Sequence, residues 1–198
     1  MNLLAMDTSG PVCGVCVLRD GQVAYESAAV NKLTHSVNLL PMAEEALLRA
    51  GLTLGQMDLL ACTVGPGSFT GVRIGVSTLK GMAHGAGKPC VAVDALEALA
   101  MGCMPSGALL CPIQDARAGQ VYGAAFADTG APVSERRMED AALKLEEYLQ
   151  RVSPMGDRLL FVGDGVAPHR SAIEQALGVR ASFAPAQQAF LRPSAVAL

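Results

Sequence analysis

One pattern occurs twice in this chain, and it limits the fold more than any other feature. Leu3 to Asp7 is an apolar run ending on an acid. After the turn Thr8-Ser9-Gly10-Pro11 comes the alternating stretch Val12-Cys13-Gly14-Val15-Cys16-Val17. Leu109 to Asp115 is again apolar up to an acid. Val121-Tyr122-Gly123-Ala124-Ala125-Phe126 follows it, with one extra residue in the intervening loop. Each half then passes into alternating strands and helices. Strands first and alternation second, twice over, predict a duplicated α/β chain built on two mixed sheets.

In the first half, Arg19-Asp20-Gly21 reads as a hairpin turn into a strand from Gln22 to Val30. A helix is expected from Ser36 to Ala50, stopped by Gly51. Pro41 is tolerated only near a first turn, so the ordered helix is expected to start close to it. Leu59 to Val64 is a strand, Thr70 to Ala86 a helix, Cys90 to Val93 a strand and Ala95 to Met101 a short helix. Gly102 to Gly107 reads as the junction, which gives subdomains 1–103 and 104–198. In the second half a helix is expected from Asp140 to Val152, a strand from Leu159 to Val162 and a helix from His169 to Leu177.

Composition removes several function classes. The 198 residues are 51% hydrophobic and 17% charged, against a usual ~45–50% and ~25%, so global disorder is excluded. Mean hydropathy is +0.34, yet no run reaches the ~18 apolar residues of a membrane helix. Met1 to Met6 has no positive charge before its apolar residues and reads as a strand, not a signal peptide. With a net charge of −3 and scattered basic residues, the chain shows no footprint for binding nucleic acid alone. An apolar chain without membrane spans is expected to hide surface against a partner. Cys13 and Cys16 have metal-like spacing, but on a strand they point to opposite faces. Cys62, Cys90, Cys103 and Cys111 read as small buried hydrophobes in a reducing cytosol. His35 has Leu39, not a second histidine, one helical turn on, so no zinc helix is expected. No Gly-x-Ser-x-Gly motif supports a hydrolase.

Two loops carry chemical options. Gly65-Pro66-Gly67-Ser68-Phe69-Thr70-Gly71 lies between a strand and a helix, where Ser68 or Thr70 can cap the helix and its free amides favour an anion. It lacks the Lys-Ser/Thr pair of a P-loop. A capped turn that packs the helix on the sheet explains the same residues. Asp7-Thr8-Ser9 can hold a magnesium–phosphate through water, or form an Asx turn on nearby amides. Asp7, Thr8, Ser9, Ser68, Thr70 and Asp115 are therefore the candidate anion or nucleotide residues.

The helices add a surface. After the glycine loop, Val72, Val76, Leu79, Ala83 and Ala86 form an apolar stripe expected to face the core. Another face carries Gly71, Gly75, Thr78, Met82 and Gly85. Each mid-helix glycine costs roughly 1 kcal/mol against alanine, and close approach of another backbone supplies a reason. The helix before it adds Leu39, Met42, Ala43 and Ala46. These residues are expected to form a partner interface, so that a large side chain at Gly75 blocks association and spares the fold. The alternative sandwiches both helices inside the chain.

Leu-Leu-Ala-Met-Asp-Thr-Ser at 3–9, His35-Ser36 with Leu39-Leu40-Pro41-Met42, Gly-Pro-Gly-Ser-Phe-Thr-Gly-Val-Arg-Ile-Gly at 65–75 and Asp115-Ala116-Arg117 before Val121-Tyr122 resemble the TsaB (YeaZ) family. The likeness spans nearly the whole chain. It implies a duplicated actin-like, Hsp70-like (ASKHA) fold. It also implies a cytoplasmic, non-catalytic partner subunit in the synthesis of threonylcarbamoyladenosine beside the tRNA anticodon. Such a subunit works with a TsaD-like catalytic subunit and a TsaE-like ATPase, and forms a homodimer when alone. tRNA is met only through the complex, and ATP and magnesium belong mainly to the partners, with weak binding by this chain allowed. TsaD holds metal with a His-x-x-x-His helix motif, which Leu39 interrupts here. Val37 stands where the family usually has an acid, and the chain stops at Leu198 where the family usually continues through a terminal helix. The rival is a nucleotide-dependent ATPase or kinase using Asp7 and Asp115, with Gly163-Asp164-Gly165 as its faint second loop; a peptidase comes third.

Overall fold

The computed structural model describes residues 1–30, 35–129 and 135–198. Two compact units emerge: Met1–Ala95 with Arg192–Leu198, and Leu96–Leu191.

In the first unit, β1 (Leu3–Asp7) is wholly buried at the centre of a five-stranded sheet of order β3-β2-β1-β4-β5. It runs antiparallel to β2 (Cys13–Arg19) and parallel to β4 (Leu59–Thr63). β3 (Gln22–Ala29) and β5 (Cys90–Val93) form the edges. Such a centre is buried on both faces, which is why β1 reads as a continuous apolar run without alternation. Leu4, Met6, Val15, Leu60 and Cys62 pack against Leu39, Ala43 and Ala46 of α1 (His35–Arg49) and Leu79 and Ala83 of α2 (Phe69–Ala86). Gly51 and Gly87 take left-handed φ of 67° and 62° just beyond these helices, as helix ends commonly require.

Pro41 stands inside α1, not near its first turn. Its missing N–H leaves the carbonyl four residues earlier without its helical donor. That residue, Val37, is exposed, as is Pro41 itself, so the defect faces water rather than the core.

The other face of the sheet receives α6 (Pro193–Ala197). Gly14 makes room for it: a Cβ there would stand 2.3 Å from Pro193 Cγ. Glu26 of β3 holds the start of α6. Its Oε1 accepts from the Ser194 amide at 2.9 Å and hydroxyl at 2.7 Å, and its Oε2 accepts from Arg192 at 2.6 Å. A short helix therefore stands near Leu198, and residues 192–198 belong to the first unit, not to the second as the division at 103 and 104 had it.

The second unit repeats the topology. β6 (Leu109–Arg117) is central, antiparallel to β7 (Gln120–Ala127) and parallel to β9 (Leu159–Val162), in the order β10-β9-β6-β7-β8. β8 is Glu135–Lys144 and β10 is Ala181–Phe183. α4 (Leu145–Val152) and α5 (Val166–Leu177) supply Leu145, Tyr148, Leu149, Val152, Ile173 and Leu177 to its core. Residues 140–144, expected to open a helix, continue β8 instead. Pairing of Leu143 with Val121 and Lys144 with Gln120 overrides their helix propensity. α3 (Ala95–Met101) buries Leu96, Ala98 and Leu99, and Glu97 pairs with Arg136 at 3.5 Å, which draws the helix into this unit and moves the boundary to Leu96.

Cys13 and Cys16 lie on opposite faces of β2: Cys13 joins the helix-side core, and Cys16 is opposite Glu26 on the α6 side. Cys90 departs from its expected burial, because β5 is an edge strand and leaves it exposed.

Candidate functional site

Asp7 ends β1 inside the first unit and is 1% exposed. Its Oδ1 accepts hydrogen bonds from the Ser9 amide at 2.9 Å, the Ser9 hydroxyl at 2.7 Å and the Thr63 hydroxyl at 2.6 Å. Its Oδ2 is buried with no hydrogen-bond partner. Burial raises the carboxyl above its usual range, against the Thr63 and Ser9 hydrogen bonds and the nearby His35, all of which favour the charged form. The His35 ring lies 3.0 Å from the Gly10 carbonyl through Nε2.

The other loop residues are engaged with one another. The Thr8 hydroxyl donates to the Gly71 carbonyl at 2.8 Å, and the Ser68 amide donates to the Ser9 carbonyl at 2.7 Å. The Ser68 hydroxyl caps α2 by accepting from the Gly71 amide at 3.1 Å. Ser68, at the cap, and Thr70, in the first turn of the helix, are both exposed. An actin-like fold implies a magnesium nucleotide at such a loop. These residues do not fit one, because Asp7 is 1% exposed, with Oδ1 taken by Ser9 and Thr63 and Oδ2 buried away from any hydrated cation, and the Thr8 and Ser9 hydroxyls donate to Gly71 and Asp7. Asp7-Thr8-Ser9 is the Asx turn of the two alternatives.

The glycines of 65–75 explain why α2 sits there. Gly65 and Gly67 have φ of 110° and 151°. A Cβ on Gly71 would lie 2.0 Å from the Thr8 carbonyl oxygen, and one on Gly75 would lie 2.5 Å from the Thr8 hydroxyl. The helix approaches the end of β1 too closely for any other residue.

Asp115 belongs to the second unit and is exposed. Its Oδ1 accepts from the Arg117 amide at 2.9 Å, and its own amide donates to Asp164 at 3.3 Å. Burial, and to a smaller degree the Asp115 charge, raises the Asp164 carboxyl, while backbone amides oppose the rise. Gly163-Asp164-Gly165 is laced to β6: the Gly165 amide donates to the Ile113 carbonyl, and a Cβ on Gly163 would lie 2.0 Å from that oxygen. Its glycines are explained by this packing. A groove of about 470 Å³ between α4 and α5 has an apolar floor at Leu145, Leu149 and Leu177.

Five residues of the expected partner face turn inward. Leu39, Ala43, Ala46, Gly71 and Gly75 are buried within the first unit, and Met42 and Met82 pack against its core; Thr78 is half-buried. The buried line of α2 is Gly71, Gly75, Leu79 and Ala83, while Val72 and Val76 are only half-buried. The small residues face inward because the helix touches Thr8. Of the expected stripe only Gly85 is exposed, and the outward faces add residues that the sequence reading did not place there. On α1, Val37, Leu40 and Leu48 are 59%, 46% and 77% exposed. On α2, Phe69 is 70% exposed, with the Arg73 guanidinium 3.9 Å above its ring. Gly81 and Gly85 are exposed, and a Cβ on either would meet nothing within 4 Å. Gly81, four residues before Gly85, was the available signal, since among the described residues none stands where its Cβ would be.

A family model for TsaD, tRNA N6-adenosine threonylcarbamoyltransferase, matches residues 29–198. The tRNA threonylcarbamoyladenosine biosynthesis protein TsaB of Bacillus subtilis (strain 168) is 33% identical over 197 residues, covering 100% of this chain and 86% of that protein. The chain belongs to the TsaB family. A Pseudomonas aeruginosa protein described as similar to the peptidase YeaZ superposes with a TM-score of 0.79 at 29% identity, over 97% of this chain and 85% of that one. The ROK hexokinase of Thermus thermophilus, at 12% identity and a TM-score of 0.52 over 100% of this chain and 98% of that one, shares the fold alone. The TsaB-family chain thus has the duplicated actin-like architecture. Where a second histidine would complete a metal helix it has Leu39, 1% exposed in the core. Among the described residues no helix is long and apolar enough to cross a membrane.

Proposed function

We propose that this TsaB-family chain is a non-catalytic partner subunit of the assembly that makes N6-threonylcarbamoyladenosine beside the tRNA anticodon. It docks a TsaD-like catalytic subunit through the outer faces of α1 and α2. The observation that carries this reading is the exposure of Gly81 and Gly85 on α2, together with exposed Phe69 on the same helix and exposed Leu40 and Leu48 on α1. Two glycines weaken an exposed helix by roughly 1 kcal/mol each against alanine, and among the described residues nothing lies within 4 Å of the Cβ that either would carry. A closely packed helix from a partner gives them a use.

The Asp7 cluster supports the non-catalytic part, since its polar groups serve the fold. The chain has no cofactor of its own in this reading; ATP and magnesium belong to the partners. A TsaE-like ATPase joins the assembly, tRNA is met through the complex, and the chain pairs with itself when alone. Its place is the cytoplasm, where tRNA is modified. The rival nucleotide-dependent enzyme needs Asp7 open to a metal, and the peptidase needs an activated nucleophile; neither draws support from these residues.

The test is size exclusion of the chain mixed with a TsaD-like subunit, using wild type and Leu40→Glu. Wild type is expected to co-elute, and Leu40→Glu to remain folded by circular dichroism and elute apart. Co-elution of the folded variant as tightly as wild type would place the interface elsewhere.

A further inference from the structure

Thr8 is buried beneath α2 and has no route to solvent or to a partner. It nonetheless determines where the outer surface of that helix stands. Its hydroxyl donates to the Gly71 carbonyl at 2.8 Å, and the positions of Gly71 and Gly75 leave no room for a Cβ between helix and loop. One residue before Thr8, Asp7 ties the loop to Thr63 and to Ser9; one residue after it, the Ser9 carbonyl receives the Ser68 amide. The first two turns of α2 are therefore seated on a fixed polar base.

The same two turns carry Phe69, 70% exposed, with the Arg73 guanidinium 3.9 Å over its ring. An exposed aromatic ring stacked with an arginine joins two side-chain types that are enriched at interface hot spots. Residues 69–88 contain Arg73, Lys80 and Lys88 and no acid, so the matching surface is neutral or acidic.

We infer that the Thr8 hydroxyl is a positioning group for partner binding: acting through Gly71 and Gly75, it fixes the height and tilt of α2 so that Phe69 and Arg73 meet a TsaD-like subunit. This rests on the docking role proposed above. Thr8 touches no partner atom itself.

The experiment is a double-mutant cycle measured by biolayer interferometry against a TsaD-like subunit, with circular dichroism on every variant. Thr8→Val keeps the shape and removes the donor, Thr8→Ser keeps the donor, and Phe69→Ala removes the anchor. Phe69→Ala is expected to weaken binding about tenfold, the effect of one lost contact, and Thr8→Val by up to the same factor, since it acts through the placement of that contact. Thr8→Ser should stay within about twofold, and Thr8→Val with Phe69→Ala should bind no more weakly than Phe69→Ala alone. If Thr8→Val fails to fold, Thr8→Ala takes its place in the cycle. Wild-type affinity in the folded Thr8 variant, or losses that multiply in the double variant, would overturn the inference and leave the docking role standing. Failure of wild type to bind at all would overturn both.

Discussion

Gly75 lies against Thr8, with the position a Cβ would take only 2.5 Å from the Thr8 hydroxyl oxygen. Thr8 is buried and short, so it cannot swing aside. Helix α2 and the loop after β1 are therefore in contact through a position that tolerates no side chain, and the glycine serves the fold of this chain rather than a partner.

Gly75→Leu is accordingly expected to destabilise the chain by about 3 kcal/mol or more, the upper end of overpacking costs. Gly81→Ala is its control. With open space around it, that substitution should stabilise the isolated chain by roughly 0.5–1 kcal/mol through helix propensity. Urea denaturation of both variants checks the pair.

Glu26 gives the first unit a pH-dependent link. Burial opposes its charge, but the Ser194 amide and hydroxyl and the Arg192 guanidinium outweigh burial and hold the carboxyl below its ordinary value of 4.5. Between the folded and unfolded values the unfolded chain binds more protons, so stability rises with pH there. The contribution is complete above about pH 4.5 and is lost as pH falls through the depressed folded value. Glu26→Gln should cost about 1–2 kcal/mol at pH 7 and flatten the acid limb of a stability profile measured from pH 3 to 7.

The β6–β7 turn contains a correctable strain. Ala118 has φ of 50° and Gly119 has φ of 74°, a pair that turns of this hairpin class fill with Asn-Gly. Alanine in the left-handed region costs roughly 1 kcal/mol. Ala118→Asn should raise stability by about 0.5–1 kcal/mol with no change in partner binding, as thermal denaturation and interferometry together will show.

Much of the fold is legible because local and tertiary preferences agree. β1, β5, α3 and β9 have the bounds their sequences predict, and Asp20-Gly21 turns as its residues require, with φ of 53° and 78°. Where they conflict, the sequence misleads. Asp140 to Lys144 favour a helix in isolation, but β7 offers them a ladder. Pro41 sits mid-helix because the carbonyl it deprives of a donor belongs to exposed Val37. The site was half legible. Ser68 as a cap and Asp7 in an Asx turn follow from residue type. The inward direction of Gly71 and Gly75 does not, because a glycine stripe looks the same whether the backbone it admits belongs to this chain or to another. Thr63, the third donor to Asp7, lies 56 residues away and has no local signal.

In its proposed role this chain supports a catalytic subunit without performing the transfer. The most direct measurement supplies threonylcarbamoyl-adenylate and unmodified tRNA to the chain alone, to TsaD-like and TsaE-like partners with ATP, and to all three proteins together, and quantifies modified adenosine by mass spectrometry. The predicted result is no product from the chain alone and a marked gain when it joins its partners. Product from the chain alone, or partner activity indifferent to its presence, would contradict the account.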